Sequence, residues 1–343
     1  MRLPFVLPAL ALFLWTLVTV LLSSNVLEGL VSLKKFFLFS VLFLVPMIAR
    51  TEGAIEWVFK SVFAVALISS LDGLIQFAVN PNRDLLHRIS GFMSQWMTYS
   101  GLLMLVLILL GAFALSAGWR KHKWVIPLGV IFVSVLILSE TRNAWLGATL
   151  GIFLLVVLIK PRAIIILLLA LLVIYFVSPP RVKQRLWSSF DPEDPNTRNR
   201  IELNETSLRL IAANPWFGVG IQNVNQEALK FRGSNEYPDW MYQHMHNNFL
   251  QITAERGIPG LLIWLWFMGR LAWDALGVYR IAKKEERVHS GMRGALLIST
   301  AALAAWVALM IAGMLEYNFG DSEVLALFFF IMSGPYVFKT AIK

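Results

Sequence analysis

The chain has 343 residues, a formal charge of +9, no cysteine, 57% hydrophobic residues and a mean hydropathy of +0.66. Soluble domains carry roughly 45–50% apolar residues, so this composition calls for lipid as solvent and predicts an all-α polytopic membrane protein. The absence of cysteine excludes disulfides, thiolate metal sites and cysteine nucleophiles. The positive charge lies in short stretches between apolar runs, as membrane topology requires, and no nucleic-acid partner is expected.

Taken in order, apolar runs near the length of a bilayer crossing fall at about 4–22, 35–49, 55–79, 96–117, 124–139, 143–159, 163–178, 257–279, 294–315 and 322–338, which predicts about ten spans. Arg2 before the first run gives it the look of a signal peptide. Its apolar core is too long, however, and SSNVLEG lacks an A-x-A cleavage pattern, so an uncleaved first span is expected. With both termini in the cytoplasm, most lysines and arginines, among them Arg50, Arg120, Lys121, Arg162, Lys283, Lys284 and Arg287, fall on inner loops. Lys34, Lys35, Arg83, Arg88 and Arg142 fall on the opposite face. The long loop from about Pro179 to Gln243 then lies outside. The expected division is an N-terminal bundle of about seven spans (1–178), an outer loop or cap (179–245) and about three C-terminal spans (246–343). Lys34 and Lys35 are out of place in this scheme, either as functional groups or because the second span is misplaced.

Asp72 and Gln76 share a face of the third span, where an intramembrane acid serves either function or a buried hydrogen bond. The outer loop mixes both charges. ETSLRLIAA within it has the pattern of an amphipathic helix that NPWFGVGIQN ends with a proline–glycine turn. DPEDP at 191–195 invites comparison with Asp-x-Asp metal sites, but its prolines and the lack of any α/β domain favour a solvated turn. Trp216, Trp240 and Tyr242 have the chemistry to stack on sugars, with loop packing the expected role of at least two.

The stretch His244 to Gly260, HMHNNFLQITAERGIPG, puts a titratable imidazole where this polar loop re-enters the apolar chain. Asn247 and Asn248 are capping residues, which places His246 at or just before a helix N-terminus, a position that favours anions. A histidine there is a candidate base. The alternatives are a structural histidine or a His244/His246 pair holding a metal. Arg142 in SETRNAW and Arg209 in the loop helix are the arginines whose planar fork suits a diphosphate. Salt bridges to Glu140, Glu202 or Glu205, or a phospholipid headgroup, are the alternatives for them.

The segments SETRNAW, SLRLIAANPWFGVGIQN, HMHNNFLQITAERGIPGLL and EYNFGDSEV, in that order from about residue 124 to the end, resemble the O-antigen ligase and O-antigen polymerase superfamily of bacterial envelope glycosyltransferases. Family members commonly have Ser-Arg-Gly where this chain has Thr141, Arg142 and Asn143, and many have about twelve spans. The resemblance implies a GT-C-type transferase of the bacterial inner membrane with its large loop and active site facing the periplasm. It further implies an undecaprenyl-diphosphate-linked glycan as donor and lipid A-core or another glycan as acceptor. Neither metal nor cofactor is implied. Mapped onto this sequence, His246 is catalytic and Arg142 and Arg209 bind the diphosphate, with Asn247, Glu255 and Arg88 as supporting candidates. The activity expected is inverting transfer to lipid A-core, the alternative being a polymerase that uses a second lipid-linked glycan. A glycolipid transporter is the reading from another class; it would place polar groups along a path and show internal repeats, whereas here the polar residues gather on one face.

Overall fold

The computed structural model describes residues 3–48, 52–80, 88–118, 122–233, 237–285 and 292–339. Its α-helices are α1 (Val6–Leu21), α2 (Val26–Ser32), α3 (Val41–Ile48), α4 (Glu52–Val79), α5 (Trp96–Phe113), α6 (Val125–Leu138) and α7 (Arg142–Ile159), then α8 (Ile164–Val177), α9 (Pro180–Trp187), α10 (Pro195–Ala213), α11 (Val224–Ala228), α12 (Asn248–Glu285), α13 (Arg293–Ala312) and α14 (Ser322–Lys339). No strand occurs among the described residues. Of the topology cations, Arg2, Arg50, Arg83, Arg120, Lys121, Arg287 and Lys343 lie outside the described residues.

All the apolar runs read from sequence fall on helix. Six helical segments are long and apolar enough to cross a membrane, or seven if Pro161–Val177 and Pro180–Ala213, bent by 114° at their junction, count as one span. The expected ten exceeds this because several runs make short helices. The 14 residues of α6 rise about 21 Å at 1.5 Å each, less than a hydrocarbon core of about 30 Å.

Two compact units emerge, and they cut across the three sequence segments because residues distant in the chain pack together. One comprises Met1–Ser40, Trp187–Trp273 and Gly313–Ser322; the other comprises Val41–Leu186, Asp274–Ala312 and Glu323–Lys343. The second unit is built on α5, α7 and α13. Close approach there depends on small residues: a Cβ on Gly147 would lie 2.9 Å from the Ala308 carbonyl, and one on Gly151 would lie 3.1 Å from that of Ala304. Ile165, Ile166, Leu169 and Val173 of α8 are exposed, an apolar surface that suits lipid and not water. Asp72 and Gln76 do pair, at 2.7 Å. Gln76 also takes the Gly91 carbonyl at 2.9 Å and the Ser90 N–H at 3.0 Å, which fixes the segment just after Arg88.

The first unit has its own core of Leu203, Leu210, Val224, Met241, Tyr242 and Met245. Packing accounts for Tyr242 alone among the three loop aromatics, since Trp216 and Trp240 are exposed. DPEDP is a turn and a cap: Asp194 accepts from the Asn196 and Thr197 N–H groups and starts α10. The motifs PWFGVG and ERGIPG prove to be two halves of one junction. α12 breaks at Gly257 (φ 69°, ψ 178°), and its freed carbonyls at Ala254 and Glu255 accept from Val219 and Gly220 at 2.8 and 2.9 Å. Gly257 has to be glycine, because a Cβ there would lie 2.1 Å from the Trp216 carbonyl.

Candidate active site

In the first unit the site is assembled by the asparagines of HMHNNF. Asn247 caps α12 through its Oδ1, which accepts from the N–H groups of Phe249 and Leu250 at 2.9 and 3.2 Å, so His246 stands one residue before the cap as the sequence predicts. The Asn247 amide also donates to the Met314 carbonyl, at 2.9 Å. Buried Asn248 donates to Asn318 Oδ1 at 2.6 Å and accepts from the Phe319 N–H at 3.0 Å. These bonds tie the segment 313–319 to the start of α12. Their consequence is to bring Glu316 against the histidines.

His246 Nδ1 lies 2.9 and 3.0 Å from the two oxygens of Glu316. A carboxylate can only accept, so Nδ1 carries a proton, and in the neutral imidazole Nε2 is then the nitrogen with the lone pair. Among the described residues no hydrogen bond engages Nε2. Glu316 is buried, whereas His246 is part-exposed. His246 also holds φ at +44°, a left-handed conformation that costs a non-glycine residue about 1–3 kcal/mol and gathers at functional sites. His244 lies beside it, its ring centroid 4.1 Å away and its Nε2 3.4 Å from Glu316 Oε1.

Charge follows this arrangement. Burial would raise the Glu316 carboxyl, but His246, His244 and Arg200 outweigh it and hold the group below the usual carboxylate range. His244 is lowered from 6.5 to about 4, first by burial and then by His246, against the opposing pull of Glu316. Burial also lowers the Arg200 guanidinium, with Glu316 opposing. The unfolded chain therefore binds a proton at His244 between pH 6.5 and 4 that the folded chain refuses, and at Glu316 below 4.5 likewise. The contribution of these two groups to stability is full above pH 6.5 and falls as pH drops. Thermal midpoints measured across that window should decline, and His244→Gln should flatten the upper part of the decline.

Sequence reasoning quoted the C-terminal motif without giving Glu316 a role, and it passed over Arg200. Of the three arginines on α10, Arg198, Arg200 and Arg209, Arg200 is the one in the field of Glu316. Arg209 donates to the Phe231 carbonyl at 2.8 Å and to Thr206 at 3.2 Å, and it stands 3.6 Å from both Glu202 and Glu205. Among the described residues no hydrogen bond or ion pair joins it to His246. Glu255 is buried in an ion pair with Arg256 and accepts from Gln251 at 2.8 Å. Lys35 belongs to this unit as well, donating to the Gly320 carbonyl at 2.7 Å.

The second unit holds Arg142 and Arg88. Arg142 is the first residue of α7, directly after a corner where Glu140 takes φ +51°. Arg88 donates to the Glu140 carbonyl at 3.0 Å and lies over the Trp96 ring. Arg181 pairs with the Glu140 carboxylate at 2.7 Å. A cavity of about 90 Å3 opens among Arg88, Glu140 and Arg181.

An all-helical chain whose described residues include six segments long and apolar enough to cross a bilayer has the character of a polytopic membrane protein. Residues 127–265 match the family described as O-Antigen ligase, and that segment is what supports a place for the chain in the O-antigen ligase superfamily. It is 27% identical over 216 residues to a Rickettsia felis protein named "Putative polysaccharide ligase", covering 60% of this chain and 48% of that protein. Proteins of the same description from Rickettsia conorii and Rickettsia prowazekii are each 24% identical, over 221 and 235 residues, covering 60% and 65% of this chain and 48% and 52% of theirs. The chain thus spans about half the length of the curated relatives it matches.

Proposed function

We propose that the protein transfers a glycan from undecaprenyl diphosphate to a sugar hydroxyl, most directly on lipid A-core, at the periplasmic face of the inner membrane. The observation that carries this reading is the contact of His246 Nδ1 with buried Glu316, which leaves Nε2 as base. The acceptor oxygen attacks the anomeric carbon, its proton passes to Nε2, and the carbon–oxygen bond to the diphosphate breaks on the opposite face, inverting the centre. Glu316 stabilises the imidazolium that forms. Arg142 and Arg209 are assigned to the departing diphosphate, with Arg88 in support of Arg142, because a guanidinium stays charged and grips two oxygens at once. Asn247 and Glu255 act on position: the first by capping α12 and holding 314, the second by fixing Arg256 and Gln251. A polymerase differs only in its acceptor, a second lipid-linked glycan. The relatives' printed names favour the ligase.

The energy resides in the donor, so the reaction as proposed needs no metal. A specific observation favours the competing reading: one ligand atom each from His244, His246 and Glu316 lie within 4.8 Å of one another, the makings of a transition-metal site. Chelation separates the two. Purified protein in EDTA should retain full transfer. Loss of turnover that one added metal restores would move the triad to metal chemistry and remove His246 as the base.

A further inference from the structure

Beside the histidine pair, the first unit encloses a polar cavity of about 100 Å3. A water needs roughly 10–15 Å3 on this scale, and a cavity of about 150 Å3 admits benzene. The space is smaller than that, so it takes no more than one six-membered ring, with part of the ring left in the open mouth where Gln222 and Asn225 are exposed. Its lining includes Lys35, Gln222, His244, Glu255, Arg256 and Tyr317, which would reject an apolar ring and suit a hydroxylated one. Arg256 is already neutralised by Glu255 and bonded to Thr16 at 3.0 Å. Lys35 has two N–H donors left after its bond to Gly320. One such cation is too little for a diphosphate.

Backbone strain points to the same place. Glu140, Gln222 and His246 are the non-glycine residues with positive φ among those described. His246 is the residue in contact with Glu316, and Glu140 is the residue that Arg88 and Arg181 bind. Gln222 holds φ +70°, is exposed, and among the described residues its side chain makes no hydrogen bond. It lines the cavity with an exposed side chain whose amide is available to a ligand.

We propose that this cavity is the subsite for a single hydroxylated sugar ring, the one that carries the accepting hydroxyl, with Lys35 and the Gln222 amide as hydrogen-bonding groups and His244 as the wall shared with His246. The assignment rests on the glycan-transfer reading for the word accepting, but ring binding can be tested apart from it. Gln222→Gly removes the amide and relieves the backbone, so the full-length protein in nanodiscs should keep or raise its thermal midpoint. The acceptor KM should rise about tenfold, the scale of one lost polar contact of about 1.4 kcal/mol, while the donor KM and kcat change less than about twofold. Asn225→Trp, at an exposed lining position, should raise the acceptor KM further and abolish saturation-transfer NMR signals of methyl hexosides seen with the unaltered protein. Transfer that depends on His246 with an acceptor KM unmoved by either variant would overturn the subsite, the cavity then holding water only, and leave the transfer reading standing. Hexoside binding lost in Asn225→Trp, in a protein that transfers nothing, would keep the ring site and overturn the transfer reading.

Discussion

Replacing His246 by alanine should lower turnover by about 10²-fold or more, the scale of a general base, while the lipid-diphosphate donor still binds. The expectation follows from geometry: Nδ1 is committed to Glu316 at 2.9 Å, so the imidazole enters the reaction through Nε2, and alanine removes the only proton acceptor assigned to the attacking hydroxyl. Folding should survive, because the helix start is held by Asn247 and Asn248 and not by the imidazole. Alanine also lowers the cost of positive φ little, since it too carries a Cβ. Single-turnover rates together with donor binding in nanodiscs measure the two quantities separately. Near-normal turnover in a folded preparation would return His246 to a structural role.

The second large effect belongs to Glu316. Glu316→Gln keeps the size of the side chain and one acceptor oxygen for Nδ1, but it removes the charge that stabilises an imidazolium. Turnover should fall by about 10²- to 10⁴-fold, the range for carboxylates that orient a catalytic histidine. The substitution also removes the charge that compensates Arg200 for its burial, so a modest loss of thermal stability should accompany it. If Glu316 served only to tie 313–319 down, glutamine would leave kcat within a few-fold of normal. Stopped assays at saturating donor and acceptor distinguish these outcomes.

Helical content, the cap at Asn247, the solvated turn at DPEDP and the Asp72–Gln76 pair were all legible in the sequence, because each depends on neighbours within one turn or on composition. His246 stood out for the same reason. Glu316 did not, since nothing local marks it: it reaches the histidine through the bonds of Asn248 to Asn318 and Phe319, which join residues about 70 positions apart. Arg200 and Arg209 share α10, and sequence alone gave no means of telling which of them would face the acid. The second asparagine of HNN and the asparagine of EYNFG were the available signal, two amide side chains in polar motifs flanking apolar runs. The expected ten spans stand above the six or seven long apolar segments because Val6–Leu21, Val125–Leu138 and Ser322–Phe338 are shorter apolar helices. Hydropathy marks apolar runs well, whereas helix ends depend on capping, on breaks such as Gly257 and on bends such as that between α8 and α9. Of the pair Lys34 and Lys35, Lys35 has a packing role: it is fixed on the Gly320 carbonyl and lines the polar cavity of the first unit.

The most direct measurement of the central claim is reconstitution of the purified protein in lipid with an undecaprenyl-diphosphate glycan, EDTA, and lipid A-core as acceptor, following both products. Undecaprenyl diphosphate and glycosylated acceptor should appear in equal amounts, with the anomeric configuration of the transferred sugar inverted. Diphosphate release without acceptor glycosylation, or a product of retained configuration, would contradict it.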